Sequence, residues 1–153
     1  MDAIDKRILV HLQADSGLAV ADLAERVGLS ASACWRRIQL LEAAGVIAGR
    51  VALLDRVAVN VAVTVFVSLR TSSHSKDWLS AFSRAIADIP EIVEVYRMSG
   101  QVDYLLKIVV PDIAAYDAVY KRLIGRIDLF DVSSAFAMEQ MKCTTALPLD
   151  YVG

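Results

Sequence analysis

The chain has 153 residues, 56% of them apolar and 22% charged, with a formal net charge of −2 at pH 7. That length suits one ordinary domain or two small ones, and that composition excludes a disordered or fibrous chain. No apolar run approaches the roughly 20 residues needed to cross a bilayer, and Met1-Asp2-Ala3-Ile4-Asp5 lacks the basic start and apolar stretch of a secretory signal, so no membrane partner is expected and the cytoplasm is the expected compartment. Cys34 and Cys143 stand far apart with no CxxC partner, which argues against a disulfide framework and a zinc site; no metal or cofactor is expected. The apolar share exceeds what a lone monomer needs and asks for an interface between copies.

From Ile4 the spacing Ile4, Ile8, Leu9, Leu12 follows one face of a 3.6-residue period and stops at Asp15-Ser16-Gly17, which predicts a first helix. Leu23, Ala24 and Val27 form a shorter stripe, and Gly28 supplies the freedom to end that second helix in a left-handed residue. Ser30 then stands where its oxygen can cap a third helix, whose buried side is Cys34, Ile38 and Leu41, closed by Gly45. The short turn Gly28-Leu29-Ser30 forces two helices to cross steeply, the arrangement in which the second lies along a major groove. With that stripe turned inward, Ser32, Trp35, Arg36 and Gln39 are presented outward, with Arg37 toward one flank. Arginine pairs bidentately with guanine and glutamine with adenine, while serine at a helix start suits a phosphate, so Ser30, Ser32, Trp35, Arg36, Arg37 and Gln39 are the candidate readers of double-stranded DNA. The bland alternative is a solvated amphipathic helix. Trp35 either packs on sugar-phosphate or a thymine methyl, or folds down onto the first helix.

Residues 1–50 hold six basic and six acidic side chains, so any basic surface is local: Arg36, Arg37, Arg50 and Arg56 gather from the third helix onward against Glu42 and Asp55. Val46 to Leu54 reads as two short strands hinged near Gly49, a small wing, with Arg50 as a phosphate contact. The expected division is a winged helix-turn-helix over 1–50, a linker strand over 51–60, and a second domain over 61–153.

In that second part Val61–Leu69 is a β-branched strand, Ser75–Asp88 a helix, and Ile92–Ser99 and Tyr104–Val110 strands joined through Gly100-Gln101-Val102. Asp112–Ile124 is a helix and Val132–Met141 the last strand. The order βαββαβ predicts a ferredoxin-like unit, giving an α+β chain overall. Its helices cover one sheet face, yet the other still carries Ala62, Phe66, Ala135 and Ala137, so a second copy related by two-fold symmetry is the expected cover. Ser99, Gly100, Gln101, Asp103 and Tyr104 read in two ways: a hairpin that needs glycine and aspartate to turn, or a site where Asp103 pairs an α-ammonium and main-chain N–H groups meet a carboxylate.

Asp5-Lys6-Arg7-Ile8-Leu9, Leu23 to Ser30, Cys34, Leu41-Glu42, Gly45-Val46-Ile47, Ala52 to Asp55 and the pattern Gly100-x-x-Asp103-Tyr104 together resemble the leucine-responsive and asparagine-responsive (Lrp/AsnC, feast/famine) transcription regulators. The resemblance runs nearly to the end of the chain; Ala19, Ala31 and Trp35 depart from the pattern, so it fixes no DNA sequence preference. It implies a sequence-specific regulator, an amino acid or related metabolite as effector at Ser99, Gly100, Gln101, Asp103 and Tyr104, and homodimers assembling into octamers on the nucleoid. The alternative it leaves open is an architectural DNA-compacting protein without effector response. An enzyme is not expected: only His11 and His74 offer near-neutral bases, with no phosphate loop or nucleophile motif beside them.

Overall fold

The computed structural model describes residues 1–152. It divides into two compact units, Met1–Leu53 with the tail from Met141, and Leu54–Gln140. Among the described residues no helix is long and apolar enough to cross a membrane.

The first unit holds three helices, α1 (Ala3–Ala14), α2 (Val20–Val27) and α3 (Ala31–Ala43). Each boundary has a local cause. Asp2 caps α1 by accepting from the Ile4 and Asp5 amides at 2.9 Å, while the Asp5 carboxylate accepts from the Asp2 amide at 3.0 Å, a reciprocal capping box. Gly28, at φ 73°, ends α2 in the left-handed region that a side-chained residue enters only at a cost. The Ser30 hydroxyl accepts from the Ala33 amide to start α3. Ile8, Leu9, Leu23, Ala24, Val27, Cys34, Ile38 and Leu41 form one core, and burial pushes the Cys34 thiol pKa up.

One side chain fastens α3 to α1. The Arg37 guanidinium lies 2.7 Å from an Asp2 carboxylate oxygen and 2.8 Å from one of Asp5. Each carboxylate thus spends one oxygen on the helix terminus and the other on Arg37. The Asp5 amide and then Arg37 hold the Asp2 pKa below its ordinary value of 3.8.

Two expectations for the following stretch are corrected. No strand forms between Val46 and Ala62, so neither the wing hairpin nor the linker strand is present as a paired ladder. The reason is the lack of a ladder partner: Val46 and Ile47 instead donate to the Leu41 carbonyl, and Val51, Leu53 and Leu54 are exposed. From Asp55 the chain makes a turn, with the Asp55 carboxylate accepting from the Val57 and Ala58 amides and Asn60 at φ 58°. Arg56 closes it by donating to the Val61 and Ala62 carbonyls and the Thr64 hydroxyl.

The second unit is the ferredoxin-like βαββαβ: β1 (Val63–Arg70), α4 (Lys76–Ala87), β2 (Ile92–Arg97), β3 (Tyr104–Val110), α5 (Ile113–Ile124) and β4 (Asp131–Phe136). The antiparallel sheet runs β2-β3-β1-β4. Val65, Val67, Leu69, Tyr104, Leu106, Ile108 and Val110 point to one face and share a core with Trp78, Phe82 and Ala85 of α4 and Tyr116, Val119 and Leu123 of α5. The opposite face mixes partly exposed Phe66 and Tyr96 with a 2.6 Å Lys107–Glu94 pair, which holds the Glu94 pKa down.

The last strand stops at Phe136, short of the expected Met141, and the tail that was expected with the second domain joins the first unit. Past Ala137 the chain has no strand to pair with, whereas α1 offers partners. The Gln13 amide accepts from the Leu147 N–H at 2.6 Å and donates to its carbonyl at 3.2 Å, Lys6 donates to the Val152 carbonyl at 2.8 Å, and Leu149 packs on the first core.

Removing the tail after Gln140 is expected to destabilise the helical unit by about 2 kcal/mol, from three lost hydrogen bonds and part of one leucine's burial, read as an earlier transition in denaturant. Arg37→Ala lowers the Tm at pH 7. Because the Asp2 pKa is depressed by folding, its stabilisation is present above the ordinary carboxylate range and lost as pH falls through the lowered value, so the gap between wild type and variant narrows below about pH 4. Thermal unfolding at pH 7 and pH 3 checks this; an equal gap at both refutes the clamp.

Candidate functional site

Burial of Cys34, Ile38 and Leu41 decides what α3 shows to the outside. Ser32, Trp35, Arg36 and Gln39 share the opposite face, as their spacing predicts. Trp35 is 55% exposed, which settles its orientation as outward. Arg36 is exposed and has no ion-pair partner among the described residues. Leu40, 63% exposed, extends the same stripe at the i+8 position from Ser32 and is not among the candidates that the sequence singles out.

Four of the candidates are engaged within the chain. Arg37 is spent on Asp2 and Asp5 and is a clamp for the helix, a correction to its reading as a base or phosphate contact. Its neighbours in sequence gave no sign of this, because its partners lie more than 30 residues away on α1. Ser30 is the cap of α3 and lies 3.3 Å from the Ser32 hydroxyl. Gln39 and Arg50 both donate to Glu42, at 2.9 and 3.0 Å. The Arg50–Glu42 pair is solvent-accessible and such pairs contribute about 0–1 kcal/mol, so a phosphate can displace the carboxylate.

In the second unit the 99–104 hairpin is closed by the Met98 amide donating to the Asp103 carbonyl at 2.8 Å. Gly100 has φ 132°, a conformation that explains the glycine by itself, since a Cβ there would meet nothing within 4 Å. Ser99, Gly100 and Gln101 are exposed. Two of the candidates are not free. Tyr104 is only 6% exposed, its ring 4.6 Å from Phe82 and 5.6 Å from Trp78, because the β3 alternation turns it toward the helices. The Asp103 carboxylate accepts from the Thr71 amide at 2.8 Å and lies 3.8 Å from the His74 imidazole, so it fastens the turn that follows β1. Beside the hairpin is a cleft of about 350 Å³ lined by Arg70, Gln101, Val102 and Asp131. Arg70 and Asp131 come from distant stretches brought opposite each other by β1–β4 register, a juxtaposition that no local motif signals.

Comparison with known proteins agrees with both halves of this description. Residues 1–48 match the family model for winged helix-turn-helix DNA-binding, and residues 64–147 match that for the Lrp/AsnC ligand binding domain. A glutamate uptake regulatory protein of Zymomonas mobilis is 50% identical over 149 residues, covering 97% of this chain and 91% of that protein. An AsnC family transcriptional regulator from Agrobacterium tumefaciens superposes with a TM-score of 0.96 at 66% identity, covering 99% of both chains. A transcriptional regulator from Neisseria meningitidis, solved as a complex with L-Met, superposes with a TM-score of 0.93 at 33% identity, covering 98% of this chain and 97% of that one. With both of its units matched along nearly their whole length, the chain belongs to the Lrp/AsnC family of DNA-binding transcriptional regulators.

Proposed function

We propose that α3 reads a DNA major groove through Trp35 and Arg36, with Ser32, Gln39 and Leu40 beside them and Arg50 on the sugar-phosphate backbone, and that a free amino acid bound at the Ser99–Gln101 hairpin regulates this reading. The observation that carries the first half is the outward Trp35–Arg36 surface opposite a fully apolar stripe. A guanidinium with no internal partner is ready for guanine O6 and N7, and an exposed indole fits a thymine methyl or a deoxyribose. The effector half is supported by the exposed hairpin and its cleft, by the ligand-binding family model, and by the L-Met complex of the Neisseria relative.

Two reading heads are needed for a half-site pair about 34 Å apart or a multiple of it, and the partly apolar open face of the sheet, with Phe66 and Tyr96, is where a second copy fits. Assembly of such dimers into octamers would let the effector act on dimer packing. The protein works in the cytoplasm on the nucleoid as a binder, not a catalyst.

A DNA fragment selected by the wild type from a random pool gives the test. Arg36→Ala is expected to weaken binding by about tenfold or more and to relax preference at one position, as loss of a bidentate base contact does. Trp35→Ala weakens it further, while both variants keep the wild-type thermal transition. Unchanged affinity and unchanged salt slope in both, measured by fluorescence anisotropy, would remove α3 as the reading head. If effector and DNA are coupled, the effector changes DNA affinity by the factor by which DNA changes effector affinity.

A further inference from the structure

The effector reading proposed above leaves a chemical question, since a free amino acid presents an ammonium and a carboxylate together and the hairpin must meet both. Asp103, the carboxylate that the sequence motif offers for the ammonium, already holds the Thr71 amide and sits beside His74. Turning it to a ligand would release the turn after β1. Asp131 has no such duty. It is exposed at the start of β4, opposite Arg70 at the end of β1, and the two side chains project to the same side of the sheet because they are direct register partners.

Opposite charges so placed normally close on each other, but no ion pair joins Arg70 to Asp131 among the described residues. Arg70 leans instead over the Phe130 ring, its Cζ 5.3 Å from the centroid, and the Phe130 amide donates to the Arg70 carbonyl at 2.9 Å, which sets the two main chains side by side. A guanidinium placed over an aromatic ring makes no hydrogen bond to it and keeps N–H donors free for a carboxylate. Arg70 and Asp131 both line an open surface cleft of about 350 Å³ together with Gln101 and Val102, at the small end of ligand sites.

We infer that Arg70 and Asp131 are the pair that recognises the zwitterionic head of the effector: Arg70 takes the α-carboxylate, Asp131 the α-ammonium, and Gln101 and Val102 meet the side chain. The site therefore selects free α-amino acids over 2-oxo acids and over amines, each of which lacks one of the two charges. Asp103 acts on the site only by holding the hairpin and the turn after β1 together.

The test uses the full-length protein and each of the twenty L-amino acids in a thermal-shift screen, then titration calorimetry with the one giving the largest shift, its 2-oxo acid and its decarboxylated amine. Arg70→Gln and Asp131→Asn are each expected to weaken binding of that amino acid by about tenfold or more, as loss of a charge-assisted contact does, with the DNA-free thermal transition unchanged. In Asp131→Asn the preference for the amino acid over its 2-oxo acid shrinks, and in Arg70→Gln the preference over the amine shrinks. Wild-type affinity and wild-type discrimination in both variants, with binding lost in Asp103→Asn, would return the ammonium to Asp103 and overturn this assignment while leaving the effector reading intact. If no amino acid binds the wild type, the effector reading itself fails and takes this assignment with it.

Discussion

Within this chain each helix and strand turns one face to a core, and that periodicity decides which residues remain for function. On α3 the inward stripe of Cys34, Ile38 and Leu41 leaves Trp35 and Arg36 no route into the core. On β3 the same rule sends Tyr104 inward with Leu106, Ile108 and Val110, and leaves Leu105 and Lys107 on the open side. A tyrosine that looks like part of a ligand motif is thereby made a wall of the core, stacked with Phe82 and Trp78.

The carboxylates of the chain explain why a net charge of −2 is compatible with holding DNA. Asp2 and Asp5 neutralise Arg37 and cap a helix, Glu42 gathers Gln39 and Arg50, Asp55 closes a turn, and Asp103 fastens another. These acids serve as internal fasteners for amide and guanidinium groups. The field beside Arg36 is set by what lies on its own face, where the outward neighbours Ser32, Trp35 and Leu40 carry no charge. Local arrangement, not the sum over the chain, governs the encounter with a polyanion.

Features with a local physical cause were legible in the sequence. The Ser30 cap, the Gly28 stop, the inward stripe of α3, the bounds of β3 and the order βαββαβ all follow from residues within a few positions of each other. What escaped depends on partners far along the chain. Nothing near Arg37 reveals the two aspartates of α1, nothing in Gly100-x-x-Asp103 reveals the Thr71 amide, and Arg70 meets Asp131 only through sheet register. The wing and linker were misread for the complementary reason: Val51, Leu53, Leu54, Val57 and Val59 have the composition of strands, but a strand exists only when another chain segment pairs with it.

The return of the tail to α1 also bears on how such a regulator can be taken apart and recombined. The polypeptide leaves the helical unit at Leu53 and re-enters it from Met141, so the sheet unit is an insertion within the other and not an appendage at its end. Grafting a foreign reading head onto this sheet would leave Leu147 and Val152 without Gln13 and Lys6, and Leu149 without its seat. Chimaeras in this architecture must therefore exchange both ends of the chain together.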